Sequence, residues 1–160
     1  MPYVSKQVRS PVGPLTLVAS ERGLAAILWP EDPPGRVPLA VAEEAPDHPV
    51  LQEAERQLAE YFAGRRTEFD LPLDPSGTPF QQKVWSALRR IPFGETRTYA
   101  EVATQIGHPG AARAVGAASG RNPLSIVAPC HRVIGTRGAL TGFAGGLEVK
   151  ARLLAFERAG

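Results

Sequence analysis

A chain of 160 residues and 17.1 kDa, 43% hydrophobic and 21% charged, has apolar material for a packed core and no excess of charge to keep it unfolded. Its length suits one domain, or two small lobes on one chain. No apolar stretch approaches the ~20 residues of a membrane span, and the opening MPYVSKQVRS lacks the apolar region of a secretion signal, so the sequence reads as cytoplasmic. One cysteine, Cys130, excludes an intrachain disulfide and paired-thiol redox chemistry. With only His48, His108 and His131 beside it, a cysteine-rich zinc site is excluded too, and no metal or cofactor is expected. The net charge of +2 hides two halves of opposite sign: residues 1–77 carry 7 basic and 12 acidic side chains, residues 78–160 carry 11 and 4. A cationic C-terminal half suits a polyanion such as nucleic acid, and a solvated surface balancing the other half is the alternative.

In chain order, Tyr3–Val8, Pro14–Ser20 and Gly23–Trp29 alternate or run apolar with β-branched residues, which predicts a small antiparallel sheet. From Pro30 to Pro49, six prolines among acidic residues deny donors and fix φ too often for regular structure, so this stretch reads as a surface connection. Val50, Leu51, Ala54, Leu58, Tyr61 and Phe62 then recur at helical spacing, with Asp47 as cap and Gly64 as stop. Thr67–Leu73 reads as a strand or extended run, and Asp74-Pro75-Ser76-Gly77 punctuates a boundary between lobes over 1–77 and 78–160.

The second half opens on Thr78 and Gln81, a capping-box pair around Pro79, followed by Phe80, Val84, Leu88 and Ile91 on one face; this predicts a helix over Pro79–Arg90. Thr98 and Glu101 repeat the box before Val102, Ala103 and Ile106, and Gly107 is placed to end that helix. After His108-Pro109-Gly110 a third helix runs from Ala111 to Gly120, and a last one from Leu147 to Arg158. Two short helices across a tight turn, the second bearing Arg113, have helix-turn-helix spacing, which αα-corners that bind nothing share.

Chemistry concentrates at Pro129-Cys130-His131-Arg132-Val133, behind Asn122-Pro123 and an apolar run over Leu124–Ala128. A lone cysteine can be a small buried hydrophobe, and Asn122 a plain turn residue. Here the proline, Arg132 and Gly135 mark a turn, His131 supplies a base that titrates near neutrality, and cationic neighbours favour thiolate. On a strand, adjacent side chains diverge, so His131 would reach Cys130 around a turn or through a water. Glu157 on the last helix is the best carboxylate to hold the imidazole. The glycine-rich run Gly138–Gly146 has the composition of a loop that passes close to a ligand, or of a flexible hairpin.

The blocks FQQKVWSALRRIPFGETRTYAEVA, ARAVGAASGRNP, PCHRV and GGLEVKARLLAFE resemble the O6-alkylguanine-DNA alkyltransferases, also called methylated-DNA–protein-cysteine methyltransferases, across Thr78–Glu157. Residues 1–77 are similar only in plan. The resemblance implies an α/β protein with an N-terminal antiparallel-sheet lobe that is ribonuclease-H-like and a C-terminal helical lobe with a winged helix-turn-helix. It implies single-turnover repair of O6-alkylguanine, and of O4-alkylthymine, in double-stranded DNA by a monomer working from the minor groove. By the same resemblance Cys130 accepts the alkyl group, His131 activates it through a water, Glu157 orients His131, and Tyr99 presses on the phosphate of the target nucleotide. Arg113 enters the base stack, small Ala112, Ala114, Gly116 and Ala117 let the helix approach DNA, and Arg137 on the wing meets a phosphate. The guanine pocket falls on the backbone of Val133 and on Thr141, Phe143, Ala144 and Gly145, with Asn122 bracing the turn beside it.

Physical chemistry agrees with that assignment of tasks. The O6 group is unreachable inside a stacked duplex, so the nucleotide must be flipped at a few kcal/mol of unstacking, and an arginine can fill the gap. Two departures stand out: Phe143 where the family commonly has tyrosine, and Ala144 where some relatives carry serine. Rival readings are a lesion-binding relative that transfers nothing, in which the cysteine is replaced, a winged-helix transcription factor, and a Cys-His hydrolase, which needs thiol and imidazole to meet directly.

Overall fold

A computed structural model describes residues 3–40, 43–138 and 142–159, with the side chain of Arg137 outside the described part. The chain divides into two compact units, Met1–Ser76 and Gly77–Gly160.

In the first unit, strands β1 (Val4–Val8), β2 (Leu15–Ala19) and β3 (Leu24–Leu28) form an antiparallel meander in which Lys6 faces Leu17 and Leu17 faces Ile27. The prolines after Trp29 do not keep the whole connection irregular. Glu43 and Glu44 form β4, parallel to β1, held by Glu43 N–H on the Tyr3 carbonyl and Ala45 N–H on the Ser5 carbonyl. A two-residue strand has no periodicity of its own, so only its partner specifies it. Helix α1 (Pro49–Phe62) buries Leu51, Ala54, Leu58 and Tyr61 against the sheet. Its cap is His48, whose Nδ1 accepts from Val50 N–H at 3.3 Å, and not Asp47; Gly64, at φ +76°, turns the chain away after the helix. The segment expected as a strand or extended run bends at Thr67 and Glu68, and only its end, at Pro72–Asp74, lies along the outer edge of β3. Leu24 N–H donates to the Pro72 carbonyl and Asp74 N–H to the Leu24 carbonyl, both at 2.8 Å. Gly23 is required there, because a Cβ would fall 2.4 Å from the Pro72 oxygen. Gln57, 2% exposed, acts as a substitute strand by both donating to the Asp70 carbonyl and accepting from its N–H.

The second unit is helical. Helix α2 (Pro79–Leu88) carries the expected capping box of Thr78 and Gln81 and ends at Leu88, two residues earlier than its pattern suggested, with Arg89 as its C-cap. Helix α3 (Tyr99–Gln105) carries the second box, of Thr98 and Glu101, and Gly107 follows at φ +81°. Helix α4 (Ala112–Gly120) turns Val115, Ala118 and Ser119 inward, and α5 (Leu147–Ala159) closes the chain. One core joins α2, α3, α4 and the segment of the cysteine, built on Val84, Trp85, Leu88, Ile91, Val102, Val115, Ala118, Cys130 and Val133. Trp85 pins α2 to α4 by donating its indole N–H to the Ala118 carbonyl at 2.8 Å. A parallel pair not expected from the sequence, β5 (Arg97–Thr98) with β6 (Val133–Ile134), ties the start of α3 to the segment after the cysteine. Among the described residues this pair is the only sheet in the unit, so no antiparallel wing is seen; Arg137 lies in a 3-10 turn over Thr136–Gly138.

Candidate active site

Cys130 opens a 3-10 turn, Cys130–Arg132, rather than lying in a strand. The turn follows from Pro129, whose carbonyl accepts from Arg132 N–H at 2.9 Å, and it gathers three consecutive side chains into the interior. Cys130 is 7% exposed and His131 fully buried. Upstream, Asn122 holds the approach: its Nδ2 donates to the Ala128 carbonyl at 2.7 Å and its Oδ1 accepts from Leu124 N–H at 3.0 Å. Inside that bracket Ile126 is buried at φ +76°, a conformation that costs a β-branched residue on the order of 1–3 kcal/mol and persists only where its surroundings impose it.

Glu157, reaching in from α5, is the hub. Its Oε2 accepts from His131 Nε2 at 2.8 Å and from Arg132 Nη2 at 2.9 Å, and its Oε1 from Arg132 Nε at 2.8 Å. A carboxylate only accepts, so the imidazole carries its proton on Nε2. The other ring nitrogen, Nδ1, is buried and meets no hydrogen-bond partner among the described groups. Burial pushes the His131 pKa below its ordinary value against the opposing pull of Glu157. Lys150, about two turns before Glu157 on the same face of α5, is fully buried and donates Nζ to the Val133 carbonyl at 2.6 Å; burial lowers its pKa, and the charge of Cys130 opposes that shift. The site therefore holds two cations, Arg132 and Lys150, against one carboxylate, and ionising Cys130 would balance them.

The structure thus joins Glu157 to His131, the sequence neighbour of Cys130, while Lys150 went unrecognised in the sequence. The signal was present: Lys150 and Glu157 stand seven residues apart on the helix face that carries Leu153 and Leu154, so two ionisable groups share a core stripe. Tyr99 begins α3 and packs on the same core, its ring 3.8 Å from where a Cβ on Gly116 would stand. On α4, Arg113, Ala114 and Ala117 are exposed and Ala112 and Gly116 half-buried, so the outer face offers one long cation among small side chains. Phe143 is half-buried against the cluster that contains Cys130; Ala144 and Gly145 are half-buried beside it, and Thr141 lies outside the described residues. Val133 is buried, with its carbonyl engaged by Lys150. Among the described residues no group of three or more His, Cys, Asp or Glu side chains could hold a metal ion, and no helix is long and apolar enough to cross a membrane.

Residues 79–159 match the family described as 6-O-methylguanine DNA methyltransferase, DNA binding domain, and residues 4–75 the same protein's ribonuclease-like domain. The chain belongs to the methylated-DNA–protein-cysteine methyltransferase family. A methyltransferase of that name from Methanosarcina acetivorans is 48% identical over 149 residues, 92% of this chain and 94% of the relative. The constitutive methyltransferase of Bacillus subtilis is 60% identical over 116 residues, 72% of this chain and 70% of the relative. The fold of this methyltransferase chain superposes on the crystal structure of Mycobacterium tuberculosis OGT in complex with DNA with a TM-score of 0.87 at 48% identity, covering 99% of this chain and 94% of that one.

Proposed function

We propose that the protein repairs DNA directly, moving the alkyl group of O6-alkylguanine, and of O4-alkylthymine, to Sγ of Cys130 in one turnover per chain. The observation that carries this reading is the Cys130-His131-Glu157 group, buried with two cations, in a family named for transfer to a protein cysteine. Sγ attacks the alkyl carbon, the bond from that carbon to O6 breaks, and its electron pair stays on the oxygen. The proton that the thiol gives up is matched by the one that guanine gains, so thiol and O6-alkylguanine become thioether and guanine. His131 takes the thiol proton at Nδ1 through a bridging water, Glu157 holds the ring, and Arg132 and Lys150 favour the thiolate. A thioether has no ready leaving path and the chain has no second thiol, so Cys130 is consumed.

Because Cys130 is only 7% exposed, the damaged nucleotide must leave the stack to reach it. Arg113 fills the vacated space from the minor groove, Tyr99 presses on the phosphate, the small face of Ala112, Ala114, Gly116 and Ala117 lets α4 come close, and Arg137 meets a backbone phosphate. The flipped base lies against Val133, Phe143, Ala144, Gly145 and Thr141, beside the turn that Asn122 braces. The protein works as a monomer in the cytoplasm. The test is a duplex with one O6-methylguanine: repair should stop at one lesion per protein molecule, with no added metal or nucleotide, and continued turnover would contradict the reading. Cys130→Ser should still bind the damaged duplex and repair nothing.

A further inference from the structure

Arg132 is 5% exposed, and its guanidinium is gripped from several sides. Beyond the two bonds to Glu157, its Nη1 donates to the Ile91 carbonyl at 2.6 Å and its Cζ lies 5.7 Å from the centre of the Phe93 ring. Phe93 stands edge-on to Phe156, the neighbour of Glu157, at 6.4 Å. The fork cannot swing away from the carboxylate without breaking a buried hydrogen bond and an aromatic contact. It also shares an oxygen with the histidine, since Glu157 Oε2 accepts from both Arg132 Nη2 and His131 Nε2.

Two consequences follow for the imidazole. A carboxylate fixed by a bidentate fork stays ionised and stationary, so it always presents an acceptor to Nε2 and never a proton. It is also largely neutralised, which weakens its pull toward an imidazolium. The charged groups that act on His131 are Arg132 on its own turn and Lys150 and Glu157 on α5, with the Cys130 thiol beside it on the turn; α2 buries the apolar Val84, Trp85, Ala87 and Leu88, and Tyr99 of α3 packs on the same core. Of these, only Glu157 favours a charged ring while Cys130 is a thiol. Without Arg132, that carboxylate at 2.8 Å would be a full counter-ion and would draw a proton onto the ring, turning Nδ1 from acceptor into donor.

We propose that Arg132 is a positioning residue for alkyl transfer: by gripping Glu157 it keeps His131 neutral, with its proton on Nε2 and Nδ1 available to take the thiol proton. The proposal rests on the transfer reaction inferred above. The alternative is that Arg132 only staples the turn to α5 and to the segment after α2.

Nitrogen NMR of the unreacted, isotope-labelled protein separates the two, with His131 assigned against His48→Gln and His108→Gln. In the wild type, His131 should remain neutral and protonated on Nε2 through the pH range around 6.5, where an ordinary histidine titrates. In Arg132→Met its titration midpoint should rise by about one pH unit or more, a tenfold change in proton affinity, and Arg132→Lys should bring it back toward the wild type. The acid limb of single-turnover transfer from an O6-methylguanine duplex should move with it, so that activity lost at neutral pH in the Met variant returns at alkaline pH. A wild-type ring that titrates at or above the ordinary value, or carries its proton on Nδ1, would overturn the proposal without any variant having to fold. So would an Arg132→Met protein with an unmoved midpoint and a uniformly lower rate. A protein with the Nε2–H ring that transfers no alkyl group would overturn the reaction itself, and with it any part Arg132 plays in it.

Discussion

Phe143 packs its ring on the cluster that holds Cys130. If that ring walls the base pocket, the absent hydroxyl forfeits one hydrogen bond to the flipped base. Phe143→Tyr should then raise the single-turnover rate by the several-fold that ~1 kcal/mol allows. If Ala144 leaves room beside the leaving oxygen, O6-benzylguanine should inactivate the protein; an unchanged Tyr-variant rate together with resistance to that base would place position 143 elsewhere. His131 makes a second expectation at this scale. Its folded pKa lies below the unfolded value of 6.5, so below that pH the unfolded chain binds the extra proton. Stability should fall as pH drops through 6.5 toward the folded pKa, and His131→Asn should flatten that part of the curve in denaturant titrations. Cys130 and His131 were legible because they are adjacent in sequence and a proline precedes them. Lys150 was passed over because a lysine on a helix is ordinarily solvated, although its place on the stripe of Leu153, Leu154 and Glu157 was the signal of its burial.

Among the elements, α4 bears the sharpest test of function. Arg113 is exposed beside Ala114 and Ala117, and if it replaces the flipped base, Arg113→Ala should slow repair of a duplex lesion far more than reaction with free O6-alkylguanine base. Equal losses on both substrates would make it a pocket or structural residue. The Asn122 bracket carries two buried hydrogen bonds that hold the strained Ile126 in place, so Asn122→Ala should destabilise the protein by about 2–3 kcal/mol in chemical denaturation. Local chemistry made the helices readable: both capping boxes, Pro79 and the left-handed Gly107 act within a few residues of themselves. The paired segments β4 with β1 and β5 with β6 were invisible, since two residues show no alternation and their partners lie 39 and 36 positions away. His48 displaced Asp47 as cap for a related reason. Which of two neighbouring side chains turns back onto the helix depends on the chain's path into it from Ala45, whose carbonyl accepts from His48 N–H at 2.9 Å.

At the scale of the molecule, the division of charge matches the division of labour. The basic C-terminal half contains the acceptor, the exposed Arg113 and the helix pair, whereas the acidic half contains a sheet under one helix. DNA affinity should therefore fall steeply with salt, and if Arg137 meets a backbone phosphate, Arg137→Ala should weaken binding about equally for any sequence and flatten the salt slope by about one unit. The two-lobed plan was readable from composition and punctuation, and Glu157 could be named as the partner of His131, but the grip of Arg132 on Glu157 and the burial of Lys150 on the Val133 carbonyl needed the fold. The central claim is that a single buried thiol is both reagent and product. Peptide mapping by mass spectrometry after reaction with a duplex carrying isotopically labelled O6-methylguanine tests it most directly. All of the label should appear on the peptide bearing Cys130, reaching one methyl group per chain; label on any other residue, or a Cys130 peptide that stays unmodified while lesions disappear, would contradict the account.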